Sequence, residues 1–392
     1  MKKLKALFIA ALSFLAIISI FPSMTNAAPS PKHAPMIIPP APDVNAEAFV
    51  LMDAATGQVL AQKNMDQRRQ PASLTKLMTL YLTFQALAQG QIKIDDKVRI
   101  GQDAWSTGGS RMFLKLGSEV SVNDLIQGII IASGNDACVA LADYIAGNQS
   151  SFSALMNMTA KRLGMKNSNF VDATGLPAPD HYMTAYDLAL LARAIATEFP
   201  QYYRFFGEKW VTWNNIKQPN RNRLLWRDPS VDGLKTGHTQ EAGYCLIASA
   251  KRLNMRLVSV VLGAPTDSER SNDSQALLNW GFRFYKSYVL YKADTTVTNA
   301  RVYMAQSGTV SLGVDKDFTV TLPIGQYDNL KAAMEVDPKL RAPIEKGKTY
   351  GNINVTLDGK PVGSAPLVAL ESDNGGGFFS RIKDRFLMLF KG

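Results

Sequence analysis

The 392-residue chain has two cysteines, Cys138 and Cys245, and three widely separated histidines, His33, His181 and His238. So few thiols and imidazoles exclude a disulfide framework and a cysteine zinc cluster, and neither a metal nor a cofactor is expected. Charged residues are 19% of the chain against 46% hydrophobic, the balance of an ordered globular protein of about two domains. There is no glycine-rich phosphate loop and no Gly-x-Ser-x-Gly elbow. The one long apolar run is N-terminal. Lys2, Lys3 and Lys5 precede an uncharged stretch over 6–21, which Pro22, Ser23 and the small-residue step Thr25-Asn26-Ala27 close. These are the parts of a secretory signal peptide, taken as residues 1–27. An uncleaved anchor is the competing reading, for which the run is short.

Residues 28–45 are proline-rich and are expected to form an extended leader. Apolar residues over 48–61 flank an Asp53…Thr56-Gly57 turn, a hairpin signal. Helices are predicted over 72–88, 122–132, 136–146, 151–163 and 185–198, strands over 243–250 and 257–262, and a closing helix over 270–285. Strands at both ends with helices between them predict an α/β or α+β domain, 46–290, whose terminal strands share a sheet. Short alternating runs at 301–304, 309–314, 318–322, 353–357 and 367–370 predict a small all-β domain, 291–372, with Asp358-Gly359 as a hairpin turn. The final unit, 373–392, reads as a glycine hinge, Gly375 to Gly377, before an amphipathic helix. At about 100° per residue, Phe378, Phe379, Ile382, Phe386, Leu389 and Phe390 share an arc of roughly 120°, while Arg381, Lys383, Asp384 and Lys391 lie off it. Residues 378–391 are therefore expected to lie on an anionic membrane surface, with a terminal helix docked on the protein's own core as the alternative.

With no metal or cofactor, chemistry must come from side chains. In Pro71-Ala72-Ser73-Leu74-Thr75-Lys76, a proline-led helix start sets Lys76 one turn after Ser73 on the same face. A neutral lysine there activates the serine, and burial beside a second cation lowers its pKa. Ser-x-x-Lys alone is weak, and Ser380-Arg381-Ile382-Lys383 is a second copy on the polar face of the tail. The first copy has company. Ser133-Gly134-Asn135 falls at a break between two predicted helices, and Lys235-Thr236-Gly237 at the head of a predicted strand; Ser121-Val122-Asn123 reads as a helix cap.

Ser-x-x-Lys, Ser-x-Asn and Lys-Thr-Gly in this order mark penicillin-binding proteins and class A β-lactamases. With Asn220-Arg221-Asn222, Leu224-Leu225-Trp226, Asp232-Gly233 before the Lys-Thr-Gly and His238-Thr239 after it, Trp280-Gly281-Phe282, and Leu312-Gly313-Val314-Asp315, nearly the whole chain resembles the low-molecular-mass penicillin-binding proteins that are D-alanyl-D-alanine carboxypeptidases. The resemblance implies a β-lactamase/transpeptidase-like α/β sheet with helices, then a β domain and an anchor helix. It implies Ser73 as nucleophile on peptidoglycan stem peptides ending in D-Ala-D-Ala, Lys76 as base, and Ser133 with Lys235 as a proton path, Lys235 also keeping Lys76 neutral. Asn135 would hold the substrate amide and Lys76. The backbone N–H groups of Ser73 and His238 would form the oxyanion hole, with Thr236, Gly237, Arg221 and Arg270 contributing to substrate binding; for Arg270 a structural ion pair is the alternative.

An imidazole base at His238 is the competing catalytic reading, and Asp180 and Asp187 are candidates to orient a deacylating water. No glutamate lies in 172–187, which argues against rapid β-lactam hydrolysis. Cys138 and Cys245 are expected as buried free thiols. The primary expectation is a carboxypeptidase acylated by β-lactams at the periplasmic face of the cytoplasmic membrane. The alternatives are a D,D-endopeptidase, a weak β-lactamase or a non-catalytic wall-binding protein. Three of the net ten positive charges fall in the signal segment and a net three in the tail, so the charge gives no sign of nucleic acid.

Overall fold

The computed structural model describes residues 37–378 together with Arg381, Ile382 and Asp384. The expected signal peptide, half of the leader and most of the tail helix lie outside the described residues.

The predicted hairpin is β1 (Ala48–Asp53) and β2 (Val59–Lys63), antiparallel about the Thr56-Gly57 turn. A 3-10 turn, Ala72–Thr75, leads into α1 (Lys76–Ala88), so Ser73 sits on a tight turn just ahead of the α-helix. The chain continues through β3 (Lys97–Arg99), α2 (Gln102–Ser106) and β4 (Glu119–Ser121) to α3 (Val122–Ile130), α4 (Asn135–Ala146), α5 (Gln149–Arg162) and α6 (Ala185–Glu198). Ser121 caps α3 as expected, accepting the Asp124 N–H at 3.1 Å. A two-stranded flap, β5 (Trp210–Trp213) with β6 (Ile216–Pro219), and the single turn α7 (Leu224–Arg227) precede β7 (Val231–Thr239), β8 (Gly243–Arg252), β9 (Met255–Ala264) and α8 (Asp267–Phe284).

The central sheet runs β2-β1-β9-β8-β7, so the N-terminal hairpin and the late strands do share one sheet. Alternation along β1 divides its side chains between two cores. Val50 and Met52 join the cluster of helices α1 to α6, whereas Phe49 and Leu51 pack with Leu277 and Leu278 of α8. α8 starts three residues before the periodicity suggested. Thr266 accepts the Glu269 N–H while its hydroxyl donates to the Glu269 carboxylate, a capping box that fixes the start at Asp267.

Without a break, α8 passes into β10 (Tyr285–Tyr291), which pairs with β13 (Phe318–Pro323); the division expected at 290/291 falls inside β10. The second sheet runs β11 (Thr296–Arg301), β12 (Thr309–Gly313), β16 (Lys360–Ala369), β15 (Thr349–Leu357) and β14 (Leu330–Val336). The strand expected over 301–304 lies earlier, as β11, and Met304 takes a positive φ of 59°. Asp358-Gly359 turns β15 into β16 as predicted. The two sheets close on Val310, Leu312, Val320, Leu322, Ile353, Val355 and Leu367. They meet the first domain where buried Ser287 donates to Asp53 Oδ2 at 2.5 Å and the Thr56 and Thr321 hydroxyls lie 2.8 Å apart.

The segment read as a free hinge is held to the β domain. Asp373 exchanges backbone bonds with Ile344, its carboxylate accepts the Gln306 and Ser307 N–H groups, and Gly376 N–H donates to Met304 O at 2.7 Å. In the described part of the tail, Asp384 accepts the Met304 N–H at 2.6 Å, while Phe378 and Ile382 are exposed.

Candidate active site

Three chain segments converge on the 3-10 turn. Ala72, at φ 49°, begins it, and Ser133, at φ 58°, sits in the break between α3 and α4. Two non-glycine residues in the left-handed region mark a backbone held against its preference at the site. β7 approaches so closely that a Cβ at Gly237 would lie 3.1 Å from Pro71 O and 3.2 Å from Leu74 Cγ, which explains glycine there. Lys-Thr-Gly occupies the second half of β7, well inside the strand and not at its head as expected. β7 is the edge of the sheet.

Lys76 Nζ lies 3.1 Å from Ser73 Oγ, and Lys235 Nζ lies 3.0 Å from Ser133 Oγ. Both amines are fully buried. Burial pushes the Lys76 pKa down from the usual lysine range, and the Arg221 guanidinium adds to this, while the Asp172 and Asp136 carboxylates oppose it. Lys235 is driven well below its ordinary value, first by burial and then by repulsion from Lys76. Of the two causes the sequence suggested for a lowered Lys76 pKa, burial leads, and the cation beside it that adds to the effect is Arg221. The two amines share one desolvated site and titrate as a pair. Burial also pushes the Cys138 thiol up to about 12, so it stays neutral, and Cys138 and Cys245 are both buried free thiols as expected.

Asn135 departs from its expected role toward Lys76. Its Nδ2 donates to Gly108 O at 2.7 Å, because the loop carrying Gly109 (φ +78°) presses against it. The partner of Lys76 is instead a backbone oxygen, Thr174 O, at 2.5 Å. Arg221 donates to Ser110 Oγ at 2.9 Å and to Ala132 O at 3.2 Å, beside Ser133. Arg270 behaves as the structural alternative. It is buried, paired with Asp267, and donates to Gly237 O at 3.0 Å and Cys245 O at 3.3 Å, bracing β7 from α8. Thr236 is buried beside Lys235. His238 is exposed, its ring 4.1 Å from that of Tyr244, an arrangement that gives no support to a base at this position.

Asp187 accepts the Asn167 N–H and the Ser168 hydroxyl, serving the base of the loop, and Asp180 is exposed. The carboxylate that approaches the site is Asp172, which the motifs did not single out. Nor did they single out Asp136, which holds the loop opposite through the Met112 and Leu114 N–H groups. Its position just after Ser133-Gly134-Asn135 was the available signal. Among the described residues no group of histidine, cysteine, aspartate or glutamate is arranged to hold a metal.

The family described as D-alanyl-D-alanine carboxypeptidase matches residues 36–266, and that described as penicillin-binding protein 5, C-terminal domain, matches 285–374. The chain is 49% identical to the D-alanyl-D-alanine carboxypeptidase DacC of Escherichia coli K12 over 89% of this chain and 90% of that one. It is 45% identical to DacA of the same organism over 90% of each. Among solved structures, penicillin-binding protein 5 of Haemophilus influenzae superposes with a TM-score of 0.80 at 43% identity, covering 86% of this chain and all of that one. The two Ser–Lys pairs, the antiparallel sheet with its helices and the β domain behind it therefore stand in a known lineage, and the chain belongs to the D-alanyl-D-alanine carboxypeptidase family.

Proposed function

We propose that the protein removes the terminal D-alanine from peptidoglycan stem peptides, with Ser73 as nucleophile. The observation that carries this is the buried Lys76 amine 3.1 Å from Ser73 Oγ, its pKa lowered. Neutral Lys76 takes the hydroxyl proton as Ser73 Oγ bonds to the carbonyl carbon of the penultimate D-alanine. The backbone N–H groups of Ser73 and His238, brought near by the close approach at Gly237, would carry the developing negative oxygen. As the intermediate collapses, the C–N bond breaks, and the proton that Lys76 gained passes to the leaving nitrogen through Ser133 and Lys235, whose atoms lie 3.0 Å apart, which returns Lys76 to its neutral form. Water, deprotonated by Lys76, then splits the ester and frees the shortened peptide. Arg221, with one hydrogen bond from each of Nη1 and Nη2, retains donors for the terminal carboxylate beside Thr236.

β-Lactams would acylate the same serine, their strained amide standing in for the D-Ala-D-Ala bond. The N-terminal signal features and the exposed Phe378 and Ile382 support export and attachment at the periplasmic face of the membrane. The deciding assay incubates wild type and Ser73→Ala with a fluorescent penicillin and with a peptide ending in D-Ala-D-Ala. Wild type is expected to label and to release D-alanine, and Ser73→Ala to do neither. A silent wild type overturns the activity; an active Ser73→Ala overturns the nucleophile.

A further inference from the structure

The loop that offers Thr174 O to Lys76 is folded around one carboxylate. Asp172 Oδ1 accepts the Thr174 N–H at 2.5 Å, the Thr174 hydroxyl at 2.7 Å and the Gly175 N–H at 2.7 Å. Its other oxygen faces His181 Nδ1 at 3.6 Å. His181 is 3% exposed, and its Nε2 lies 3.0 Å from the hydroxyl of Thr75, the residue before Lys76. The contacts close a ring, from Lys76 Nζ to Thr174 O, through the Asp172 carboxylate and the His181 imidazole to Thr75, and back along one peptide bond to Lys76. Nδ1 of His181 is buried with no hydrogen-bond partner, and the Asp172 carboxylate is the acceptor it faces.

We infer that Asp172 and His181 are positioning residues, which aim the Lys76 amine at Ser73 and set the pH at which that amine becomes a base. The aim comes from the ring, because Thr174 O can hold Nζ in place only while the Asp172 carboxylate gathers the backbone of residues 174 and 175. The pH setting comes from charge. Against burial, hydrogen bonds from His181, Thr174 and Gly175 hold the Asp172 carboxyl at about 2, so it remains ionised near Lys76. The groups acting on Lys76 are burial and Arg221, which favour the neutral amine, and the Asp172 and Asp136 carboxylates, which favour the protonated one; Lys235 shares its site. Asp172 alone among these also shapes the hydrogen-bond partner of the amine.

The test uses the full chain, with kcat and KM for a D-Ala-D-Ala peptide measured across pH and a melting curve for each variant. Asp172→Asn removes the charge, and the acid limb of kcat/KM, where Lys76 loses its proton, is expected to move to lower pH by about half a unit. Asp172→Glu keeps the charge with a longer reach, so kcat should fall about tenfold with KM within about twofold and the limb in place. Thr75→Val opens the ring on the His181 side and should lower kcat in the same way, without moving the limb. A merely structural role predicts an equal loss at every pH, and an unmoved acid limb in folded Asp172→Asn overturns the pH setting. Unchanged kcat in Thr75→Val overturns the aim, and this variant decides if the Asp172 variants fail to fold. The inference rests on the Ser73–Lys76 reading. A wild type inactive on the peptide fails that reading, whereas an active wild type with indifferent variants fails only this one.

Discussion

At the scale of single residues, one glycine keeps the turn that carries Ser73 and Lys76 open to its neighbouring loop. Gly175 has a φ of +81°, and a Cβ there would stand 1.9 Å from Ala72 O and 2.6 Å from Thr75 Oγ1, an approach no side chain allows. Gly175→Ala should therefore push the 172–176 loop off the turn, losing about 2–4 kcal/mol of stability in urea unfolding and at least tenfold in kcat. Equal stability and activity would show that the turn yields. The three motifs were legible because each carries its function on side chains whose types recur at fixed spacing. Thr174 was not, since it acts through a carbonyl that every residue possesses. Asp172 and His181 escaped for a related reason. They touch the turn only after more than ninety residues of chain have folded back, a separation no local pattern records.

At the scale of elements, caps and cross-links decide what periodicity leaves open. Asp228, just past α7, binds Ser230, Gln275 of α8 and Arg252 of β8. Burial works to raise its pKa, yet these hydrogen bonds prevail and hold it at about 2. An unfolded aspartate titrates near 3.9, so this carboxylate stabilises the fold fully above about pH 4, and the contribution fades as pH falls toward 2. The stability gap between wild type and Asp228→Asn in urea titrations should accordingly narrow from pH 5 to pH 2; a constant gap would refute the linkage. The helices α1 and α3 to α6 and the strands β1, β2, β8 and β9 follow apolar spacing and were read within a few residues, whereas the five-residue α2 is too short to show a period. β14 was not read as a strand, since Leu330-Lys331-Ala332-Ala333-Met334-Glu335-Val336 is composed of helix formers, and only its pairing with β15 makes it extended. β10 was missed because no glycine or proline separates it from α8.

At the scale of the whole molecule, the two domains meet through a small polar seam remote from Ser73 in sequence. Asp53 is fully buried, and Ser287 supplies its Oδ2 while the Ala55 and Thr56 N–H groups supply its Oδ1. Ser287→Ala leaves a buried carboxylate oxygen without its donor and should cost about 1–3 kcal/mol in thermal or urea unfolding, with penicillin acylation unchanged. A drop in acylation would mean that the seam reports to the catalytic turn. Among the described residues, Asp373, Gly376 and Asp384 tie the segment after β16 to the β domain through Ile344, Gln306 and Met304. β7 ends the central sheet, and no described strand covers its outer side. An uncovered strand edge is the part of a fold most prone to join its like in another molecule. A stem peptide bound as proposed beside Lys-Thr-Gly would occupy this same uncovered edge, so substrate and edge-to-edge pairing of copies would compete for one strand.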